Sequence, residues 1–260
     1  MARLDMKAWL PRVASSTPTV PIPDEATGCT LWVKLEYLLP SGSTKDRVAS
    51  FVLAHAIETG AVKDGTLVVE ASSGSTSIAF AMACAMIGVR FRAVMPEGVS
   101  GERLMIIRRY GGEVVLTPKS AGVLGAIQET RRIAEAEPDV FLPCQFQNPL
   151  NAMAHERITG PELMNQVGRT IHGFVAGVGT GGTLGGIGAA LHQMGHRTRL
   201  GRARGIFGAG TAVVAAPDRP GTLLRGDGDV DRPALLPLPV LDAVRDEFID
   251  DQQQAVGEFG

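Results

Sequence analysis

Apolar residues recur at helical spacing over 46–59, where Val48, Phe51, Val52 and Ala56 share one face and Gly60 supplies a C-terminal stop. Before them, residues 30–35 alternate as a strand does, and Pro40-Ser41-Gly42 breaks the run. The same two patterns repeat downstream. A short apolar strand over 66–69 and a polar turn over 72–76 lead into a buried-type helix over 78–87, which stops at Gly88. Strand 91–95, a turn at Pro96 and Gly98, and helix 102–110 follow, closed by Gly111-Gly112. Strand 113–116, helix 121–137, a short strand near Phe141, helix 151–166 and strand 171–176 continue the alternation, and a glycine-rich turn then opens a helix over 184–194. Strands alternating with helices of this length predict an α/β fold whose parallel sheets are covered on both faces. Ligands of such sheets sit where the strands end at their carboxyl side.

From Arg197 the pattern lapses. Arg197, Arg199, Arg202 and Arg204 crowd together, then Gly, Pro and Asp dominate to Pro239, with only weak periodicity over 240–249. No regular element is predicted in this tail.

Composition narrows the field. A chain of 260 residues with 45% apolar and 20% charged residues is ordinary for a globular protein with a large core. A net charge of −2 and 13 aromatic residues (9 Phe, 2 Trp, 2 Tyr) give no footprint for nucleic acid or an anionic membrane. The N-terminus has no long apolar run, and the most apolar stretch, 78–89, is too short to span a bilayer. Cys29, Cys84 and Cys144 are widely spaced, which fits reduced core thiols in a cytoplasmic protein.

Three loops carry candidate chemistry. In Ser41-Gly42-Ser43-Thr44-Lys45-Asp46-Arg47 a lysine opens a helix, whose positive end disfavours a second positive charge and eases deprotonation of the amine. A neutral lysine attacks aldehydes, and pyridoxal phosphate is the common aldehyde cofactor held that way. Taken alone, the segment fits a surface lysine after a turn better. Glu70-Ala71-Ser72-Ser73-Gly74-Ser75-Thr76 links a strand to a helix, where hydroxyls and free backbone N–H groups suit a carboxylate, or form an ordinary N-cap. Gly177-Val178-Gly179-Thr180-Gly181-Gly182-Thr183 offers close-approaching amides and two hydroxyls, a natural phosphate site.

The third loop also satisfies Gly-x-Gly-x-x-Gly, but the acidic residue expected about 20 positions on in a dinucleotide fold is missing, and arginines stand there instead. His192 and His196, four apart, lack a third metal ligand and read as solvated; His155-Glu156 lacks the second histidine of a zinc protease; no metal site is expected.

Together the loops resemble those of the cysteine synthase and cystathionine β-synthase branch of the fold-type II pyridoxal phosphate enzymes, which are tryptophan synthase β-like. Ser43-Thr44-Lys45-Asp46-Arg47 is similar to that family's Schiff-base lysine motif, 72–76 to its substrate-carboxylate loop, and Gly179 to Thr183 to its phosphate loop. A branch-specific stretch, Gln145-Phe146-Gln147-Asn148-Pro149-Leu150-Asn151 with His155 and Gly160-Pro161-Glu162, follows in collinear order. The likeness runs from about Thr17 to Met194.

The resemblance implies two α/β domains with the cofactor in the cleft between them: a smaller one over 36–148, and a larger one over 149–260 joined by 1–35. It implies that Lys45 holds pyridoxal 5′-phosphate and serves as general base, with Ser75, Gly179, Thr180, Gly181, Gly182 and Thr183 on the cofactor. Ser72, Ser73, Gly74, Thr76 and Gln145 would hold the carboxylate of a small amino-acid substrate. The implied reaction is β-replacement on an activated serine (O-acetylserine or O-phosphoserine) by a sulfur nucleophile, in a homodimer. A serine or threonine ammonia-lyase, a diaminopropionate-type synthase and a non-catalytic truncated homologue are the alternatives. Two departures stand out. Ser75 occupies the place of an asparagine that meets the cofactor's 3′-oxygen, and nothing after Arg197 matches the segment whose hydroxyl meets the pyridine nitrogen. Residues 201–260 are therefore expected to pack incompletely.

Overall fold

The computed structural model describes residues 15–25, 28–203 and 212–217. In chain order its elements begin with β1 (Thr19–Asp24), β2 (Cys29–Lys34), α1 (Lys45–Glu58), β3 (Leu67–Ala71), α2 (Ser75–Ile87), β4 (Arg90–Pro96), α3 (Gly101–Arg109) and β5 (Glu113–Thr117). They continue with α4 (Gly122–Ala136), β6 (Val140–Phe141), α5 (Leu150–Ala154), a π-helical turn (His155–Thr159), α6 (Gly160–Val167), β7 (Gly173–Gly177), α7 (Gly182–Gln193), β8 (Arg199–Ala203) and β9 (Ala212–Pro217). Two compact units result: Leu39–Asn151, and Ser16–Leu38 with the described part of Ala152–Asp246.

The first unit is a four-stranded sheet ordered β5-β4-β3-β6, parallel at every pair. Its central strand reads Leu-Val-Val-Glu-Ala and is buried at all five positions, as a strand covered on both faces must be. Side chains alternate across the sheet. Val68 joins a core with Val48, Val52 and Leu53 of α1 and Ala79, Phe80 and Ala83 of α2, while Leu67, Val69 and Ala71 pack with Val94, Ala126 and Ile133. Burying such side chains contributes roughly 1.5–3 kcal/mol each, so this sheet rests on contacts made within one continuous stretch of chain.

The second unit is a five-stranded sheet ordered β1-β2-β9-β7-β8. Here only β7 and β8 run parallel; the other three pairs are antiparallel, so the expectation of parallel pairing is corrected to a mixed sheet. The physical reason lies in chain order, since β1 and β2 are joined by a turn too short for a crossover. Leu163, Val167, Ile171, Phe174, Ile187 and Leu191 form its core. Helix α7 lies directly on the 150–167 segment: a Cβ at Gly186 would come within 2.2 Å of the Ala152 carbonyl oxygen, and one at Gly160 within 2.4 Å of the Ala190 methyl. Lys34, fully buried, ties β2 to α6 through Glu162 Oε1 at 2.5 Å and Gln166 Oε1 at 3.0 Å.

Several expectations change. Strand β1 is additional to the predicted elements; its Pro21 and Pro23 are tolerated because β1 lies at the sheet edge. The tail is not devoid of regular structure: β8 covers 199–203 and β9 covers 212–217, and β9 sits between β2 and β7. Residues 204–211 and 218–260, on which the expectation of incomplete packing otherwise falls, lie outside the described residues. Cys29 and Cys84 are buried as expected, whereas Cys144 is exposed, held at a positive φ of 52° in the turn before Gln145. His196 is not merely solvated, since its Nδ1 accepts the Ile171 N–H at 3.1 Å. Among the described residues no helix is long and apolar enough to cross a membrane, and no cluster of three or more His, Cys, Asp or Glu side chains could hold a metal ion.

Candidate active site

Lys45 is the first residue of α1. The turn before it is closed by Asp46, whose carboxylate accepts the Ser41 backbone N–H at 2.7 Å and the Ser41 hydroxyl. A negative side chain in a helix's first turn is favourable in its own right. Here it also folds the turn back, with Gly42 at φ 83° where a side chain would be strained. Burial lowers the Lys45 pKa below that of an ordinary amine. The Thr44 hydroxyl beside it in sequence is buried and has no partner among the described residues.

The second loop follows β3 and opens α2. The helix begins at Ser75, three residues earlier than periodicity predicted, so Ser75 and Thr76 lie on its first turn. Ser72 is committed to shaping the loop: its hydroxyl accepts the N–H groups of Gly74 and Ser77, each at 3.1 Å, and pairs with the Ser77 hydroxyl at 2.6 Å. Ser73 is exposed, and its carbonyl accepts a hydrogen bond from Arg103 Nη1 at 2.9 Å. Gly74 sits at φ 154° beneath that arginine, where a Cβ would fall 2.5 Å from Arg103 Cδ.

Gln145 belongs to the same constellation. Its side-chain amide donates to the Ala71 carbonyl at 2.9 Å, and its Oε1 accepts the Thr76 hydroxyl at 2.6 Å. Its backbone is held from both sides, with the N–H donating to Glu70 Oε2 at 3.2 Å and the carbonyl accepting from Asn151 Nδ2 at 2.9 Å. The structure thus brings together Ser72 to Thr76 and Gln145, 69 positions apart at the Thr76 bond. Glu70 and Asp46 stand within the sequence motifs, but neither is assigned a role there. The available signals were a lone acid inside the apolar run Leu-Val-Val-Glu-Ala and an acid in the first turn after the lysine.

The glycine loop belongs to the second unit. It runs from β7 to α7, with Gly181 capping the helix at φ 80° and the Thr180 hydroxyl accepting the Gly182 N–H at 3.4 Å. A Cβ on Gly179 would meet nothing within 4 Å, so the backbone there faces open space. The amides at a helix N-terminus attract anions as a class. Thr183 is tied to the π-helical turn: its hydroxyl lies 3.2 Å from His155 Nε2, and His155 Nδ1 lies 2.9 Å from the Thr159 hydroxyl. His155 is fully buried. The stretch that looked like one motif from Gln145 to Glu162 is divided in the fold, for His155 braces the glycine loop and Glu162 accepts the Thr17 N–H at 2.9 Å and bonds Lys34.

The chain as a whole is similar to known proteins. A family model described as pyridoxal-phosphate dependent enzyme matches residues 12–246. The cysteine synthase of Staphylococcus aureus is 43% identical over 185 residues, 70% of this chain and 59% of that protein. Cysteine synthase B of Campylobacter jejuni is 34% identical over 217 residues, 84% of this chain and 72% of that protein. In structure, the O-acetylserine dependent cystathionine β-synthase of Helicobacter pylori superposes with a TM-score of 0.69 at 32% identity, covering 77% of this chain and 66% of that one. The match thus spans less than two thirds of the Staphylococcus aureus relative's length. The chain belongs to the pyridoxal-phosphate dependent enzyme family, in its cysteine synthase branch.

Proposed function

We propose that this chain binds pyridoxal 5′-phosphate through Lys45 and catalyses β-replacement on an activated serine, as a cysteine synthase does. The observation that carries the reading is the Lys45 amine, opening α1 and shifted by burial towards its neutral, nucleophilic form. The residues present fit the cofactor. An amine suits its aldehyde, and the start of a 12-residue helix with Thr180 and Thr183 beside it, and open space at Gly179, suit its phosphate. Bound pyridoxal phosphate supplies an aldehyde that condenses with amines and a ring that accepts electrons from the substrate's α-carbon.

The chain's own residues then divide the work. Gly179 to Thr183 hold the phosphate through backbone N–H groups and hydroxyls. Ser73, Gly74, Thr76 and Gln145 receive the α-carboxylate, with Ser72 shaping their loop from within. Once the substrate amine has taken its place, Lys45 Nζ removes the α-proton and later returns it. Ser75 stands nearest in role to the cofactor's 3′-oxygen. O-acetylserine is the favoured substrate, since the Helicobacter pylori relative is named for its dependence on it, and sulfide or a thiol is the favoured nucleophile. Gln145 favours replacement over a simple ammonia-lyase reaction. A homodimer in a reducing cytoplasm completes the reading, the free cysteines being compatible with that compartment.

The test is direct. Purified protein incubated with pyridoxal phosphate should take up a visible chromophore, and borohydride should fix it on the peptide containing Lys45. O-acetylserine with sulfide should then yield cysteine. A label on Lys34 or Lys63, or no label, would overturn the assignment.

A further inference from the structure

Glu70 is the one charged residue in a strand buried at every position, and it is itself 2% exposed. Its two oxygens face two different backbone donors. Oε1 accepts the Ala71 N–H at 3.0 Å, and Oε2 accepts the Gln145 N–H at 3.2 Å. Those two residues also meet directly, through the Gln145 side-chain amide on the Ala71 carbonyl. One buried carboxylate therefore stitches the end of β3 to the turn that carries Gln145. Burying an acid costs several kcal/mol unless it is well bonded, and an apolar residue would suit the strand better if packing were the only demand.

We propose that Glu70 is a positioning residue for the substrate-carboxylate site: by fixing the Gln145 backbone it presents the Gln145 amide and Thr76 hydroxyl in one arrangement. The proposal rests on the assignment of Ser72 to Thr76 and Gln145 to the substrate carboxylate. It reaches substrate only through those residues, and Glu70 touches no reacting atom.

The clamp has a pH sense. Burial raises the Glu70 carboxyl to about 8, offset in part by the Gln145 and Ala71 N–H groups that favour the anion. Its titratable and charged neighbours in the narrow pocket above it are Cys144 and Arg131. The Cys144 thiol, half-covered in that pocket although the residue as a whole is exposed, is raised by that partial burial and then by the Glu70 charge, with Arg131 pulling the other way. When ionised, both Glu70 oxygens accept. When protonated, one oxygen carries a hydrogen that opposes an N–H donor, and the stitch to Gln145 slackens. Folding stability moves oppositely: with the folded pKa raised above the usual 4.5, this group's contribution is complete below about pH 4.5 and is lost as pH rises to about 8.

Two measurements on the full chain test the idea. Without added cofactor, the backbone amide resonances of Gln145 and Ala71 should titrate together with a midpoint near 8, and the step should vanish in Glu70→Gln. With cofactor, and assayed above about pH 8 where Glu70 is ionised, Glu70→Gln should raise the amino-acid KM about tenfold, the equivalent of one charge-assisted hydrogen bond, while kcat stays within a factor of about two. Glu70→Asp should recover part of the affinity and of the pH step. A Gln145 amide indifferent to pH in the unmodified protein overturns the positioning role whatever the enzyme does, and so does an unchanged KM in Glu70→Gln. A titrating amide in a protein that turns over no activated serine leaves the stitch standing and overturns the functional reading instead.

Discussion

The two units hold their loops by opposite means. In Leu39–Asn151 the loop is fixed by side chains: the Ser72 hydroxyl, the Thr76–Gln145 bond, the Glu70 carboxylate and the Asp46 carboxylate each close one turn. In the other unit the glycine loop is fixed mainly by backbone, with Gly181 in a left-handed conformation and Gly186 letting α7 lie on the Ala152 carbonyl. The sheets beneath differ in the same spirit. One is assembled from consecutive strands of a single stretch of chain, the other from strands as distant as β1 and β9. A site that must read a substrate gains from side-chain groups locked in one arrangement. A site that must hold a phosphate gains from amides that cannot move, because preorganised donors need no rearrangement when the anion arrives.

The largest expected effect strikes the non-local sheet. Val214 pairs with Trp32 on one side and Phe174 on the other, so Val214→Pro removes a ladder donor from an interior strand and distorts both pairings. The loss should be roughly 3 kcal/mol, with faster amide exchange at Trp32 and Phe174. Exchange at Val69 and Val94, in the parallel sheet, should be unchanged. Equal acceleration in both sheets would show that their stabilities are not separable in this way.

Much of the first unit was legible in sequence because its information is local. Every predicted strand and helix from residue 46 to 141 exists within a few residues of its expected bounds, and the Lys45 and Ser72 loops fall at element junctions. What sequence could not show was which hydroxyls are already engaged. Ser72, expected on the substrate, bonds its own loop, and that depends on the helix starting at Ser75 rather than Ile78. The second unit was harder because its cues conflict with its structure. Pro21 and Pro23 argue against a strand that an edge position permits. The run Ala212-Val213-Val214-Ala215-Ala216 is short and surrounded by Gly and Asp, and only pairing across about 180 residues makes it a strand. The π-helical turn at His155 has no periodic signature, since it is a single widened turn in an otherwise helical pattern.

One substitution made in both loops sharpens the contrast. Thr76→Val keeps the shape and removes the hydroxyl that donates to Gln145 Oε1 at 2.6 Å. Thr76 is 3% exposed and Gln145 6%, so water cannot replace the lost donor and the oxygen is left unsatisfied. Denaturant unfolding should register a loss of about 1–3 kcal/mol, and the amino-acid KM should rise with it. A loss below about 0.5 kcal/mol would mean the Gln145 amide turns to another partner, and the loop would then be less rigidly specified than its hydrogen bonds suggest.

The matching change, Thr183→Val, should cost less. Its hydroxyl lies 3.2 Å from His155 Nε2, a longer bond than that at Thr76, and Thr183 itself is only half-buried. Solvent or a phosphate oxygen can therefore take the place of the lost partner, while His155 keeps Thr159 on its other ring nitrogen. The expected loss is about 0.5–1.5 kcal/mol in denaturant unfolding. Backbone amides carry most of the proposed anion binding in this loop, so affinity for pyridoxal phosphate should fall by only about tenfold at most, one hydrogen bond's worth. Isothermal titration of the unloaded chain with pyridoxal phosphate would measure it. A stability loss as large as that of Thr76→Val, or a much larger loss of cofactor affinity, would show that the glycine loop also depends on a side-chain lock, and the two units would then differ less than their hydrogen bonding indicates.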